Sequence, residues 1–146
     1  MIYFDNAATT PLSPAVFEAM IPYLTEKYYN PSANYTQAFD IRDTLQESRK
    51  IIASTLCCEP DEIYFTSGGS ESDNWALRFA CAGQHIITSE IEHHAIINTC
   101  KYLESHGVEV TYVGVDKFGR VNPADVERAI KKNTSIISIM TANNEI

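Results

Sequence analysis

Positive charge is scarce in this 146-residue sequence, where 11 Lys and Arg stand against 19 Asp and Glu for a formal net charge of −8. A nucleic-acid or anionic-membrane partner is recognised by neutralising phosphates with dense Lys and Arg, so neither is expected. Long apolar runs are also missing, and nothing approaches the roughly 20 residues that span a bilayer. The start, Met1-Ile2-Tyr3-Phe4-Asp5, lacks the basic residues and apolar stretch of a secretory signal. Secretion and membrane anchoring are therefore not expected, and a cytoplasmic protein is. The four cysteines, Cys57, Cys58, Cys81 and Cys100, contain no C-x-x-C pair, and the adjacent two would bridge only with strain. Reduced thiols are expected. There is no G-x-G-x-x-G, no Walker A sequence and no H-E-x-x-H. Internal repeats, low-complexity segments and linkers are absent as well.

What is present is a 45% hydrophobic chain of globular composition, long enough for one core. Short β-branched or aromatic runs at 62–66, 85–89, 108–113 and 135–140 read as strands. Helical patterns lie around and between them. The first covers 14–27, opens at Ser13-Pro14 and carries Pro22 as a kink or split. The second covers 35–56, with Ile41, Leu45, Ile52 and Leu56 on one face. A third follows Gly69, a fourth spans 94–105 before Gly107, and a fifth runs from 122 or 123 to 132. Alternation of this kind predicts α/β architecture, a mostly parallel sheet with flanking helices. The chain stops at Ala142-Asn143-Asn144-Glu145-Ile146, just past the last strand, where a ligand-binding loop of an open sheet would begin. No closing helix follows, so a truncated polypeptide is expected.

Three segments can carry chemistry. Thr66-Ser67-Gly68-Gly69-Ser70-Glu71-Ser72 runs from a strand pattern through two glycines into a helix. Orphan N–H groups at the helix start, a favourable dipole and nearby hydroxyls suit an anion such as phosphate. The same residues equally describe an N-capped helix with Glu71 complementing the dipole. In Ser89-Glu90-Ile91-Glu92-His93-His94 a histidine can move protons near neutral pH. Adjacent residues do not face one another on a helix, which disfavours a shared metal, and a solvated polar helix entry is the plain alternative. Asp5-Asn6-Ala7-Ala8-Thr9-Thr10-Pro11 is an irregular small-residue arm, and Asn30-Pro31-Ser32-Ala33-Asn34 is a turn. The six lysines fall in helical or turn positions and read as solvated charges.

Taken in order, several of these segments resemble the front part of a cysteine desulfurase, in the class V aminotransferase family of fold-type I pyridoxal-phosphate (PLP) enzymes. The matching residues are Tyr3-Phe4-Asp5-Asn6-Ala7-Ala8-Thr9-Thr10-Pro11, Asn30-Pro31-Ser32, 62–74 through Ser67-Gly68-Gly69-Ser70, His85-Ile86-Ile87-Thr88, and Glu92-His93. Val113-Gly114-Val115-Asp116, Gly119-Arg120-Val121, and Ser138-Ile139-Met140 through Asn143-Asn144-Glu145-Ile146 continue the match. Tyr29, and Tyr35 or Thr36, depart from the residues usual in relatives.

The resemblance implies an N-terminal arm over 1–12, with Asp5–Thr10 near the substrate mouth, and over 13–146 the first part of the PLP-binding large domain. It implies that Gly69 and Ser70 bind the cofactor phosphate, where relatives usually carry Ala and Thr. His93 would stack on the pyridine ring and assist proton transfer, and Asn144 would bond the ring's phenolic oxygen. No metal is implied. The implied reaction takes sulfur from L-cysteine, leaving L-alanine and an enzyme persulfide for a sulfur acceptor such as an iron–sulfur scaffold, in a homodimer. The Schiff-base lysine, the pyridine-pairing Asp and the sulfur-accepting Cys of the family all lie beyond the equivalent of Ile146, and none of the four cysteines here takes that role. This chain alone is expected to be inactive. Another class V enzyme (a selenocysteine lyase or an aminotransferase) and a non-catalytic fragment are the alternative readings.

Overall fold

A computed structural model describes residues 2–146, which fold as two compact units that meet in sequence between Phe65 and Thr66.

The first unit is helical. α1 (Pro14–Thr25) begins with proline at its first turn, where the missing N–H costs nothing, although Ser13 makes no side-chain cap bond. It passes through Pro22 without splitting and ends where Glu26 and Lys27 both donate to the Pro22 carbonyl, at 2.9 and 2.6 Å. α2 (Thr36–Leu56) buries Ala38, Ile41 and Ala53, while Leu45 is half-buried and Ile52 and Leu56 are exposed. The turn at 30–34 forms as expected: Asn30 Oδ1 accepts from Ser32 N at 2.8 Å, and Arg42 of α2 donates to the Pro31 and Ala33 carbonyls. α2 closes on Cys57 in the left-handed conformation, φ 55°.

The strand expected at 62–66 does not form. Pro60–Glu62 is a 3₁₀ turn, Glu62 reaching back to accept from Glu59 N at 2.8 Å. Ile63 is extended, with φ −95° and ψ 120°. A strand also needs a hydrogen-bonded neighbour. Here the Ile63 carbonyl is taken by Arg49 Nε at 3.4 Å, and the Arg49 guanidinium lies over the Phe65 ring.

The second unit is a parallel sheet with helices. α3 (Gly69–Leu77) leads into β1 (His85–Ser89); α4 (His94–Glu104) connects β1 to β2 (Glu109–Val113), and α5 (Pro123–Ala129) connects β2 to β3 (Thr134–Ser138). The spatial order is β2-β1-β3 with both pairings parallel. Every residue of β1 is buried, as expected of a central strand covered on both sides. One of its faces carries Ile86, which packs with Leu77, Ala80, Ile96, Cys100, Leu103 and Val108 beneath α3 and α4. The other carries His85, whose Nδ1 meets Thr134 Oγ1 and whose Nε2 meets Thr111 Oγ1, each at 2.8 Å. That histidine joins all three strands at the amino edge of the sheet. Gly107, at φ 88°, turns the chain from α4 into β2. No helix among the described residues is long and apolar enough to cross a membrane.

Candidate functional site

β2 and β3 flank β1 on opposite sides, so the chain leaves β1 in one direction and returns past it in the other. Right-handed crossovers then put α4 and α5 on opposite faces of the sheet. The segments that follow β1 and β3 line one cavity beyond the carboxyl ends of those two strands, where open α/β sheets bind ligands. The cavity, of about 250 Å³, is lined by residues 91–94 after β1 and 143–146 after β3.

His93 and Asn144 both line this cavity. His93 caps α4, its Nδ1 accepting from Ala95 N at 3.1 Å. With Nδ1 acting as acceptor, the neutral imidazole carries its proton on Nε2, a tautomer assigned from that bond. Both residues are exposed, and Nδ1 of His93 is occupied by the Ala95 N–H. The His93 and His94 rings stand 6.2 Å apart and tilted by 54°, so they do not converge on one point.

The second part of the site is the start of α3. α3 precedes β1 in the chain, and Gly69 and Ser70, unlike His93 and Asn144, are not among the residues that line the cavity. α3 and α4 pack side by side. Glu71 folds back over this terminus, its Oε2 accepting from Ser67 N at 2.6 Å and from Ser67 Oγ at 2.7 Å. Those two bonds hold the Glu71 carboxyl below the usual carboxylate range. The Gly68 carbonyl takes the N–H groups of Glu71 and Ser72. The N–H groups of Gly69 and Ser70, with Ser70 Oγ, remain as the donor set for an anion. A Cβ built on Gly68 or Gly69 would meet nothing within 4 Å, so the approach to these N–H groups is open. Neither glycine has a φ in the left-handed region. The serine cap that the sequence also allows does not form, since the N-cap residue is Gly68 and has no side-chain cap bond; Glu71 stands in the first turn, where it complements the dipole.

Sequence reasoning missed the two residues that tie the cavity walls together. Glu92, 9% exposed, accepts at Oε1 from Ser89 Oγ at 2.8 Å and from Met140 N at 2.7 Å. Asn143 donates from Nδ2 to the Ile91 carbonyl at 2.8 Å and accepts at Oδ1 from Glu145 N and Ile146 N at 2.7 and 3.1 Å. The Asn-x-Glu-Ile ending is an Asx-turn signal. Nothing local in the sequence marks Glu92 as buried. In the first unit, Tyr29 and Tyr35 meet edge to face at 6.0 Å between ring centroids. All six lysines are exposed and all four cysteines are free thiols.

Known proteins resemble this chain in sequence and in fold. The protein named cysteine desulfurase IscS from Methanosarcina thermophila is 52% identical over 150 aligned residues, covering 99% of this chain and 37% of its own length. The protein of the same name from Dictyoglomus turgidum is 49% identical, covering 99% of this chain and 38% of its own length. The solved structure of SspA in complex with cysteine superimposes with a TM-score of 0.94 at 41% identity, covering all of this chain and 44% of that one. The chain thus spans well under half the length of the relatives it matches. The aminotransferase class-V family matches residues 2–146, and the chain belongs to that family.

Proposed function

We propose that this chain forms the cofactor-binding front part of a cysteine desulfurase, which takes sulfur from L-cysteine and leaves L-alanine and an enzyme persulfide. The observation that carries the reading is the 52% identity, over nearly the whole chain, to a protein named for that activity. It is supported by His93 and Asn144 lining one cavity and by a helix start at Gly69 and Ser70 of the kind that suits an anion. Residues 1–12, of which Met1 lies outside the described residues, would be the N-terminal arm, with Asp5–Thr10 near the substrate mouth, and 13–146 the first part of the large domain.

The donor set fits pyridoxal 5'-phosphate. Gly69 and Ser70 would hold its phosphate through two N–H groups and Ser70 Oγ, at the positive end of α3. A side chain in place of Gly69 has room, in keeping with the alanine usual in relatives. Asn144 would donate to the phenolic oxygen of the ring. His93 would stack on the ring and move a proton through Nε2, because Nδ1 is held by the Ala95 N–H. When bound, the cofactor supplies the electron sink for chemistry at the substrate's α-carbon, while protein groups orient it and set its charge. The thiol that attacks the substrate sulfur comes from outside these residues. We place the protein in the cytoplasm as a homodimer that passes sulfur to an acceptor such as an iron–sulfur scaffold.

Product analysis of the intact enzyme decides the assignment. Alanine and persulfide should form from cysteine in equal amounts, and Ser70→Ala should weaken cofactor affinity by about tenfold, the loss of one hydrogen bond to a charged group. An enzyme that binds the cofactor but yields neither product would sink the reading.

A further inference from the structure

Two side chains outside the assigned set hold the cavity closed along one seam. Glu92 leaves the loop after β1 and accepts from Met140 N beyond β3 at 2.7 Å; Asn143 leaves the segment beyond β3 and donates to the Ile91 carbonyl in the loop after β1 at 2.8 Å. The two side chains reach across the gap from opposite sides, although both bonds are donated from the segment beyond β3, and each side chain sits one residue from an assigned group. Glu92 precedes His93, and Asn143 precedes Asn144. The strands end at Ser89 and Ser138, so beyond them no sheet ladder keeps the two segments in register. Ser89 Oγ gives the Glu92 carboxylate a second donor at 2.8 Å, which fixes its rotamer. A carboxylate buried at 9% exposure is retained at a desolvation cost that these bonds offset.

We infer that Glu92 and Asn143 are positioning residues, a reciprocal clamp that sets the spacing of His93 and Asn144 across the cavity and so orients the cofactor ring between them. This rests on the cofactor reading above. Glu92 acts here as an acceptor, and the carbonyl of a glutamine amide can receive the same two donors. Charge is therefore not required, whereas the acceptor oxygen is.

Glu92→Leu, Glu92→Gln and Asn143→Ala in the intact protein separate the possibilities. Amide hydrogen exchange at Met140 is read without cofactor, and pyridoxal-phosphate affinity is read by absorbance titration. In Glu92→Leu, Met140 N–H should exchange at least about tenfold faster and the cofactor should bind at least about tenfold more weakly, as expected for loss of a bond to a charged group. Glu92→Gln should restore both to within about threefold of wild type, since it keeps the acceptor. A merely space-filling role would remove the difference, with Leu tolerated as well as Gln. Should Glu92→Leu fail to fold, Asn143→Ala breaks the clamp at its half-buried member and carries the same two expectations. Unchanged Met140 exchange overturns the clamp and leaves the cofactor reading untouched. Faster exchange with unaltered affinity overturns the positioning role. A wild-type protein that binds no pyridoxal phosphate overturns the cofactor reading, and the positioning role with it.

Discussion

The two units of this chain bury apolar surface in different ways. In the first, α1 has no buried residue, and Phe17, Met20, Ile21 and Leu24 are exposed along a helix that is apolar on most sides. In the second, β1 is buried throughout and a contiguous cluster forms around Ile86. The difference lies in topology. A parallel sheet with crossover helices covers its central strand with residues close in sequence, whereas a helix acquires a buried face only from whatever packs on it. The stability of residues 66–146 is thus concentrated in one cluster, and that of residues 2–65 is not.

Truncating the centre of that cluster should have the largest effect. Ile86→Ala removes a fully buried side chain and should cost about 2–5 kcal/mol in denaturant unfolding, while Phe17→Ala in α1 should stay within about 0.5 kcal/mol. Equal losses at both sites would erase the contrast between the units. The thiols sharpen it. Burial pushes the Cys100 thiol up to about 11, while Cys57 and Cys81 are exposed. At pH 8, iodoacetamide should modify Cys57 and Cys81 at least about tenfold faster than Cys100, as peptide mass spectrometry would show.

The sheet carries its own acid sensitivity. Burial between β2 and β3 lowers the His85 value, Lys131 adds to the lowering, and Glu109 opposes it. Folding therefore favours neutral His85. Its contribution is intact above the unfolded value of about 6.5 and is lost as pH falls toward the lower folded one. Melting temperature should drop between pH 7.5 and 5.5, and His85→Gln should flatten that drop. A profile unchanged by the substitution would remove His85 as its source. On the opposite face of the same strand, Thr88 Oγ1 is buried without a hydrogen-bond partner. Thr88→Val should leave stability unchanged or raise it by about 1 kcal/mol in the same unfolding assay. The smallest effect belongs to the first unit. Cys57 closes α2 in a left-handed conformation that costs a non-glycine residue about 1–2 kcal/mol, partly offset by the greater freedom of unfolded glycine. Cys57→Gly should thus stabilise by about 0.5–1 kcal/mol, and a loss of stability would show that the thiol makes a contribution of its own.

Much of this was legible from local pattern because its causes are local. The runs at 85–89, 108–113 and 135–140 became β1–β3 within a few residues, and the α3 and α4 boundaries followed from Gly69 and Gly107. Ser67-Gly68-Gly69-Ser70 announced a helix start, and proline placed the start of α1. The run at 62–66 misled because alternation specifies only an extended chain. Pairing requires a neighbour, and the Ile63 carbonyl meets Arg49 instead of a strand. The amphipathic pattern of α2 likewise put Ile52 and Leu56 on an inward face, but a pattern cannot supply the surface that covers them.

By itself, then, the sequence determined the α/β alternation, the family, and the residue types able to bind an anion and move a proton. These depend on chemistry carried within a few consecutive residues. Tertiary structure alone decided that β1 lies between β2 and β3, that the crevice opens beside His93 and Asn144, and that Glu92 and Asn143 span it. The reason is physical: a hydrogen bond such as that from Met140 N to Glu92, 48 residues apart in the chain, exists only after strand order has brought its two loops together.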